Sequence, residues 1–429
     1  MRSLGVLVSI VTFSVSVSVG QSESPSIAPA SAKETILHTF CSKTNCPDGG
    51  SPEGPLIADK SGNFYGTTEF GGANGSGTVF ELQSTATGWK ESVLYNFCSV
   101  KDCSDGLEPV AGLTMDASGN LYGTTLFGGS GVGNYCEDGA EGDDGCGVVF
   151  KLSESKGVWT ETVLHAFGDG NPLDGAFPVG GVVLDAAGNL YGATSEGGDP
   201  TTCPDVGCGV VYAVSPVSGG WKETVLHYFA LDGAVDGIYP SSGVILDSAG
   251  NLYGTTGQCD SSCQGIAYKL ATDGWTEATI YGFPGGADGA RPEGGLVFDS
   301  AGNLYGTTSL GGAHNAGTVF KLNPKGQETI LHSFSGPPDG DHPLASLIID
   351  SSDNLYGTTQ AGGGSTACTG GCGTFFELKS TGGTEEVRYG FSYTNGAFPV
   401  STLLLSRGVL YGTAPSSSKG EGVAYSIVP

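Results

Sequence analysis

The chain of 429 residues carries 44 acidic against 17 basic side chains, a formal net charge of −27, which argues against nucleic acid or an anionic membrane as partner. Only 14% of it is charged, and glycine supplies 75 residues, more than twice the usual share of about 7%. With no collagen period and little proline, that excess implies an all-β protein rich in turns.

The N-terminus comes first. Arg2 gives a short positive segment, Leu4 to Val19 an apolar run lightened by Ser and Thr, and Ser18-Val19-Gly20 a small-residue cleavage site. This predicts a secretory signal peptide over residues 1–20, with a signal-anchor as the alternative, although the run is short for a span of about 20 residues. No Cys follows the cleavage site, so a lipoprotein is not expected. Residues 21–33 are rich in Ser, Pro and Ala and read as a flexible linker, leaving 34–429 as one domain. Export then makes the cysteines a disulfide framework. The twelve fall as six close pairs: Cys41 with Cys46, Cys98 with Cys103, Cys136 with Cys146, Cys203 with Cys208, Cys259 with Cys263 and Cys368 with Cys372. Structural zinc is the alternative for such pairs, but no CxxC recurs and each pair lies in a different repeat, so no metal site is expected there.

From residue 34 onward the sequence repeats. GNLYGTT or a near copy recurs with Tyr at 65, 122, 191, 253, 305, 356 and 411, spacings of 51 to 69 residues that suit the longer propeller repeats. Each repeat divides into four strands. The first is an apolar run ending in Asp, such as Gly295 to Asp299. A tight Gly-Asn hairpin leads to the second, Asn303 to Thr308. A Gly-rich loop precedes the third, Gly317 to Leu322, and the fourth is Glu328 to Phe334, β-branched and aromatic with alternating faces. The seventh repeat stops after its third strand, Gly422 to Ile427, and an unmatched fourth strand stands at the other end, Glu34 to Phe40. An open array would expose two β edges, whereas a ring in which Glu34 to Phe40 completes the last blade exposes neither. The expected fold is therefore an all-β, seven-bladed β-propeller of four-stranded blades, closed by the N-terminal strand, and a monomer.

The GNLYGTT, GTVFKL-type and ETILHSF-type strands also resemble the Gloeobacter/Verrucomicrobium tandem repeats of exported bacterial proteins. The resemblance covers residues 34–429 and implies export and a propeller-like array, not a reaction. Relatives often carry a C-terminal surface-sorting segment; here the last strand runs to Pro429, so anchoring by that route is not expected.

In such a ring the loops between strands two and three, and between strand four and the next strand one, share one face. All six cysteine pairs fall in those loops, Cys136 and Cys146 around the acidic group Glu137, Asp138, Glu141, Asp143 and Asp144. Disulfides there pin Gly-rich loops and also pre-organise a binding face. The loops entering each blade carry Asp-Gly-x-x-Pro at Asp48, Asp105, Asp174, Asp236, Asp288 and Asp339, with Asn395 in the seventh. This reads as a turn, or else as a carboxylate ring able to hold a cation at the channel mouth. The residue before that proline varies: Ser51, Glu108, Phe177, Tyr239, Arg291, His342 and Phe398. A constant frame around a variable position suits a specificity ring, with aromatics to stack and Glu108, Arg291 and His342 to fix a polar ligand; exposed turn residues are the bland alternative.

His38, His165, His227 and His332 share one fourth-strand slot with Tyr95, Tyr281 and Tyr389, so the slot is architectural. Only His314 and His342 fall off the pattern, and they are the candidates for acid–base chemistry. No nucleophile elbow, phosphate loop, metalloprotease helix or cofactor motif is present. The sequence favours an extracellular or periplasmic binding module for a polysaccharide or a protein. The alternative is a carbohydrate-active lyase or hydrolase using His342, Arg291, Tyr239 and loop carboxylates.

Overall fold

Each repeat folds into a four-stranded antiparallel sheet, and seven such blades form a ring in the computed structural model. It describes residues 32–129, 136, 145–168, 173–199, 201, 203, 207–230, 236–259, 263–380 and 385–429. The expected signal peptide and nearly all of the linker lie outside these residues, as does the acidic group between Cys136 and Cys146. No helix among the described residues is long and apolar enough to cross a membrane.

Blade 1 is Ile57–Ala58, Phe64–Thr68, Thr78–Thr85 and Gly88–Asn96, paired in that order, and blades 2 to 6 repeat it. In blade 7 the third strand, Val423–Val428, pairs with Lys33–Thr39, Lys33 opposite Val428 and Thr39 opposite Val423. The N-terminal strand thus supplies the missing fourth strand.

The GNLYGTT motif explains itself residue by residue. Asp59 Oδ1 accepts from the amides of Ser61 and Asn63 at 2.8 and 2.9 Å, while Oδ2 accepts from Asn63 Nδ2 at 2.8 Å and from the Tyr65 hydroxyl at 3.3 Å. The same clasp recurs at Asp116, Asp185, Asp247, Asp299 and Asp350. Gly66 lies opposite Phe80 of the third strand, and a Cβ on it would stand 2.6 Å from the ring; an alanine there would drive the aromatic off its seat. The first Thr reaches the next blade: Thr67, Thr124, Thr307 and Thr413 donate to the carbonyls of Ala111, Gly180, Ala345 and Gly54. The last of these crosses the closure from blade 7 to blade 1.

Aromatic side chains make the other blade-to-blade joint. The phenylalanine ending each fourth strand packs on the third-strand aromatic of the following blade, from Phe97 on Phe150 to Phe391 on Tyr425. Phe40 on Phe80, centroids 4.8 Å apart, closes the circle. Seven fully buried pairs of this kind, each adding about 0.5–1.5 kcal/mol beyond area burial, hold the blades face to face.

Two features differ from the sequence reading. First strands are short, only two ladder residues in blades 1, 2, 5 and 6, because where seven strands converge the preceding Gly/Pro-rich residues turn to neighbouring blades. Fourth strands do not simply alternate. Each carries a β-bulge just before the His/Tyr slot: Val79 faces Tyr95 but Phe80 faces Val93, so Leu94 is the extra residue. The same slip recurs in all seven blades. One extra residue flips strand parity, so residues four apart, such as Glu34 and His38, face opposite blades.

Candidate functional site

Both sets of long loops emerge on one face, where they pair with each other. Gly50 bridges Phe70, Leu107 bridges Phe127, Ala290 bridges Leu310 and Ala397 bridges Ser416. In blades 3, 4 and 6 the pairing is regular ladder, as at Ala176 opposite Glu196. The six expected disulfides form in these loops. Cys41 bonds Cys46, Cys98 bonds Cys103, Cys136 bonds Cys146, Cys203 bonds Cys208, Cys259 bonds Cys263 and Cys368 bonds Cys372. The cysteines are therefore not free to ligate zinc.

The variable pre-proline residues share an unusual backbone. Ser51, Glu108, Phe177, Tyr239, Arg291, His342 and Phe398 all have φ between 53° and 61°. That left-handed conformation costs a side-chain-bearing residue roughly 1–2 kcal/mol, and glycine adopts it freely. Glycine occupies none of the seven positions. Each residue is held there through its main chain: the amides of Phe177, Tyr239 and Phe398 donate to the carbonyls of Cys146, Cys208 and Cys372 at 2.9 Å. Those cysteines belong to the preceding blade, so three disulfides support ring residues directly. Arg291 and His342 hang likewise on Gln264 and Ala316.

The other three disulfides do not hold ring residues themselves and pin the loops instead. Cys103 ends the short 3-10 turn Lys101–Cys103, and its carbonyl accepts from the amides of Gly106 and Gly129 at 2.8 and 3.0 Å. It thereby ties the loop entering blade 2 to the loop after that blade's second strand. Cys46 does the same in blade 1 through Gly49 and Gly72. Cys263 packs half-buried against the core of blades 3 and 4 and stands one residue before Gln264, so it supports Arg291 at one remove. Neither Cys103 nor Cys263 lines the cavity described next.

The side chains of this ring separate. Tyr239 and Arg291 meet in a cavity of about 460 Å³ with Ser195, Gln258, Glu293 and Leu344. Arg291 is exposed, and among the described residues its side chain makes no hydrogen bond or ion pair. Phe177 packs edge-on against Phe127, and Phe398 packs against the core beside Tyr425. Ser51 and Glu108 sit near a carboxylate pair that sequence reasoning missed. Burial, then the charge of Glu69, pushes Glu53 up to about 7, and burial raises Glu69 as well. Glu53 and Glu293 both follow their proline directly and line the central channel, about 330 Å³, with residues from all seven blades. Glu69 comes from the loop after a different strand, so nothing in the local pattern announces the pair. His314 is exposed on its loop, and His342 Nδ1 lies 2.6 Å from Asp341; neither lines the cavity. Hence the acid–base grouping of His314, His342 and Arg291 does not assemble around it.

The Asp-Gly-x-x-Pro carboxylates take the turn role and face the His/Tyr slot, not the channel. Asp105 accepts the Ser99 amide at 2.8 Å and the Tyr95 hydroxyl at 2.7 Å; Asp48 lies 2.8 Å from His38 Nε2. His165 and His332 each stand 3.2 Å from Asp174 and Asp339. A third member comes from the next blade, the glutamate four residues before that blade's own His/Tyr. Tyr389 donates to Glu34 at 2.7 Å and Tyr281 to Glu328 at 2.8 Å. Burial raises all seven of these glutamates, Glu161 up to about 8 and the others to about 7. The fourth-strand bulge is what points Glu toward one neighbour and His or Tyr toward the other.

Comparison with solved structures shows the same architecture at low identity. Puromycin hydrolase matches with a TM-score of 0.52 at 12% identity over 90% of this chain, which spans 53% of that protein. A Bacteroides fragilis protein described as a candidate 6-phosphogluconolactonase gives 0.51 at 14% identity, covering 88% of this chain and 99% of the other. These likenesses concern the fold alone. No curated protein matches the sequence. The Gloeobacter/Verrucomicrobia repeat matches residues 10–258, 135–369 and 239–429, overlapping stretches that together take in the whole ring, and the chain belongs to that family.

Proposed function

We propose that this propeller is an exported binding module that recognises a polysaccharide on its disulfide-stapled loop face. The observation that carries the reading is the set of seven pre-proline residues, all held left-handed and none of them glycine. Backbone strain kept at every repeat, beneath side chains that differ at every repeat but two, is retained for what those side chains meet. The cavity at Tyr239 and Arg291 offers a ring to stack on a sugar face, and a guanidinium, Glu293 and Gln258 to bond hydroxyls or acidic groups. Six disulfides accord with an oxidising compartment.

A second reading, a carbohydrate-active enzyme, is favoured by one feature. Glu53, raised by burial and by the charge of Glu69 to about 7, stands beside a second carboxyl that burial also raises, a pair of the kind acid–base chemistry draws on. A panel of neutral and acidic polysaccharides, scored both for binding and for new reducing or unsaturated ends, separates the two. The proposal expects binding without new ends, weakened about tenfold by Tyr239→Ala. New ends lost in Glu53→Gln would establish the enzyme, and no response to any polysaccharide would remove the glycan reading.

A further inference from the structure

We infer that the His332–Asp339–Glu385 cluster, at the joint between blades 5 and 6, is a binding site for a divalent transition metal of the zinc class. Its three donors come from three segments: the fourth strand of blade 5, the loop entering blade 6, and the residue just before the fourth strand of blade 6. His332 Nε2 lies 3.2 Å from Asp339 Oδ2 and 3.9 Å from Glu385 Oε2, and one ligand atom from each residue falls within 4.8 Å of the others. An ion with bonds of about 2.1 Å sets tetrahedral ligands roughly 3.4 Å apart, so small side-chain adjustments suffice.

Two orphaned carboxylate oxygens accompany this gathering of donors. The glutamate one recurs at Glu34, Glu91, Glu161, Glu223 and Glu328, and the aspartate one at Asp236, but among the described residues only here are His, Asp and Glu donors drawn together. The Glu385 side chain is only 7% exposed, its Oε2 faces the imidazole, and its Oε1 has no hydrogen-bond partner. Asp339 Oδ1 is likewise buried without a partner, although Oδ2 accepts from the Ser335 amide and hydroxyl at 3.0 and 3.1 Å. Buried carboxylate oxygens left unpaired are costly. The basic side chains close to Glu385 in sequence are engaged elsewhere, Arg388 with Glu377 and Glu386, and Lys379 with Glu386. A divalent cation bound by both carboxyl groups and the imidazole would compensate the burial of all three. One nitrogen with two carboxylate oxygens suits zinc or manganese better than calcium, which takes oxygen ligands.

The other blades supply the control. Where the slot holds Tyr, the phenol donates a proton to a carboxylate, as Tyr281 does to Glu328 and Tyr389 to Glu34. Where it holds His38, His165 or His227, the three donors are not gathered within the same distance. Tyrosine is thus a residue that this architecture already accommodates at position 332. A bound ion would staple blade 5 to blade 6, in addition to the packing of Phe334 on Phe376.

The test uses the whole mature protein, stripped with a chelator and titrated with zinc chloride, manganese chloride and, separately, calcium chloride. Bound metal is read by calorimetry and elemental analysis, and blade cohesion by thermal unfolding. The expected result is one zinc per chain with a raised Tm, and no comparable effect of calcium. His332→Tyr should fold with an unchanged metal-free Tm, bind zinc more than about tenfold more weakly and lose the zinc-dependent rise. Glu385→Gln, which keeps the side-chain shape, should weaken zinc binding also. Stoichiometric zinc that survives both substitutions, calcium binding equal to zinc, or no zinc uptake at millimolar concentration would each overturn the assignment.

Discussion

The two faces of the ring start from the same glycine-rich, acidic composition and use their side chains in opposite ways. On the hairpin face the polar side chains serve the backbone. Asp116 collects the amides of Ser118 and Asn120, the Asn120 side chain and the Tyr122 hydroxyl, and the clasp is present in six of the blades. Burial works against ionisation of these aspartates, but the donors outweigh it and hold them below the ordinary carboxylate range. On the loop face the backbone serves the side chains. Main-chain bonds, several of them to disulfide cysteines, hold the pre-proline residues in a conformation they resist, and the side chains vary. A saturated carboxylate has little left to offer a ligand; a clamped residue such as Arg291, whose side chain makes no hydrogen bond or ion pair among the described residues, offers all of it. The contrast places stability on one face and, under the proposed function, recognition on the other.

That division can be broken experimentally. Asp116→Ala removes the acceptor for four donors and should cost about 2 kcal/mol, seen as a lower Tm, with polysaccharide binding unchanged. Weakened binding at this site would join the two faces energetically.

A smaller effect tests the joints between the blades. Glu161, beside Asp105, is raised by burial to about 8, well above its usual 4.5. A carboxyl raised on folding is neutral in both states below the unfolded value, and its stabilising protonation is lost as pH rises through the folded value. Stability should therefore decline between about pH 4.5 and 8, as six other glutamates follow the same course. Glu161→Gln should flatten that decline by a few tenths to about 1 kcal/mol at pH 8, after allowance for solvent screening, and change little at pH 4. Denaturant unfolding at the two pH values measures it; an equal effect at both would show that packing, not charge, sets the glutamate's contribution.

The ring and its closure are legible in the sequence because they rest on counting. One displaced strand, Glu34 to Phe40, fits one vacancy beside Val423–Val428, and the ladder forms as that count requires. The clasp is legible because its parts lie within six residues. The cysteine pairs are legible for the same reason, but which of them carries a ring residue is not. Cys208 holds Tyr239 and Cys103 holds only glycines, a difference set by where each carbonyl points across a blade boundary. What escapes is whatever needs parity or depth. The bulge at Leu94 and its counterparts leaves the composition of the strand unchanged, yet it decides which blade Glu91 and Tyr95 face. The Glu53–Glu69 pair and the Glu–His–Asp clusters join residues from separate strands or blades, and a single repeat read along its length does not contain them. His342 shows the converse. It stands out from the repeat pattern, but it is spent on Asp341 beside it and does not line the cavity of Tyr239 and Arg291.

Arg291 offers the most direct test, because it is strained, exposed and free of protein partners among the described residues, so its two contributions separate. Arg291→Gly should relieve the left-handed backbone and raise stability by up to about 1 kcal/mol, offset in part by the greater freedom of glycine in the unfolded chain. The same variant should lose most of its affinity for whichever polysaccharide the wild-type protein binds. Measuring Tm and binding on one preparation tests the account: a more stable protein that binds poorly is the predicted result, and a less stable protein that binds as well as wild type would contradict it.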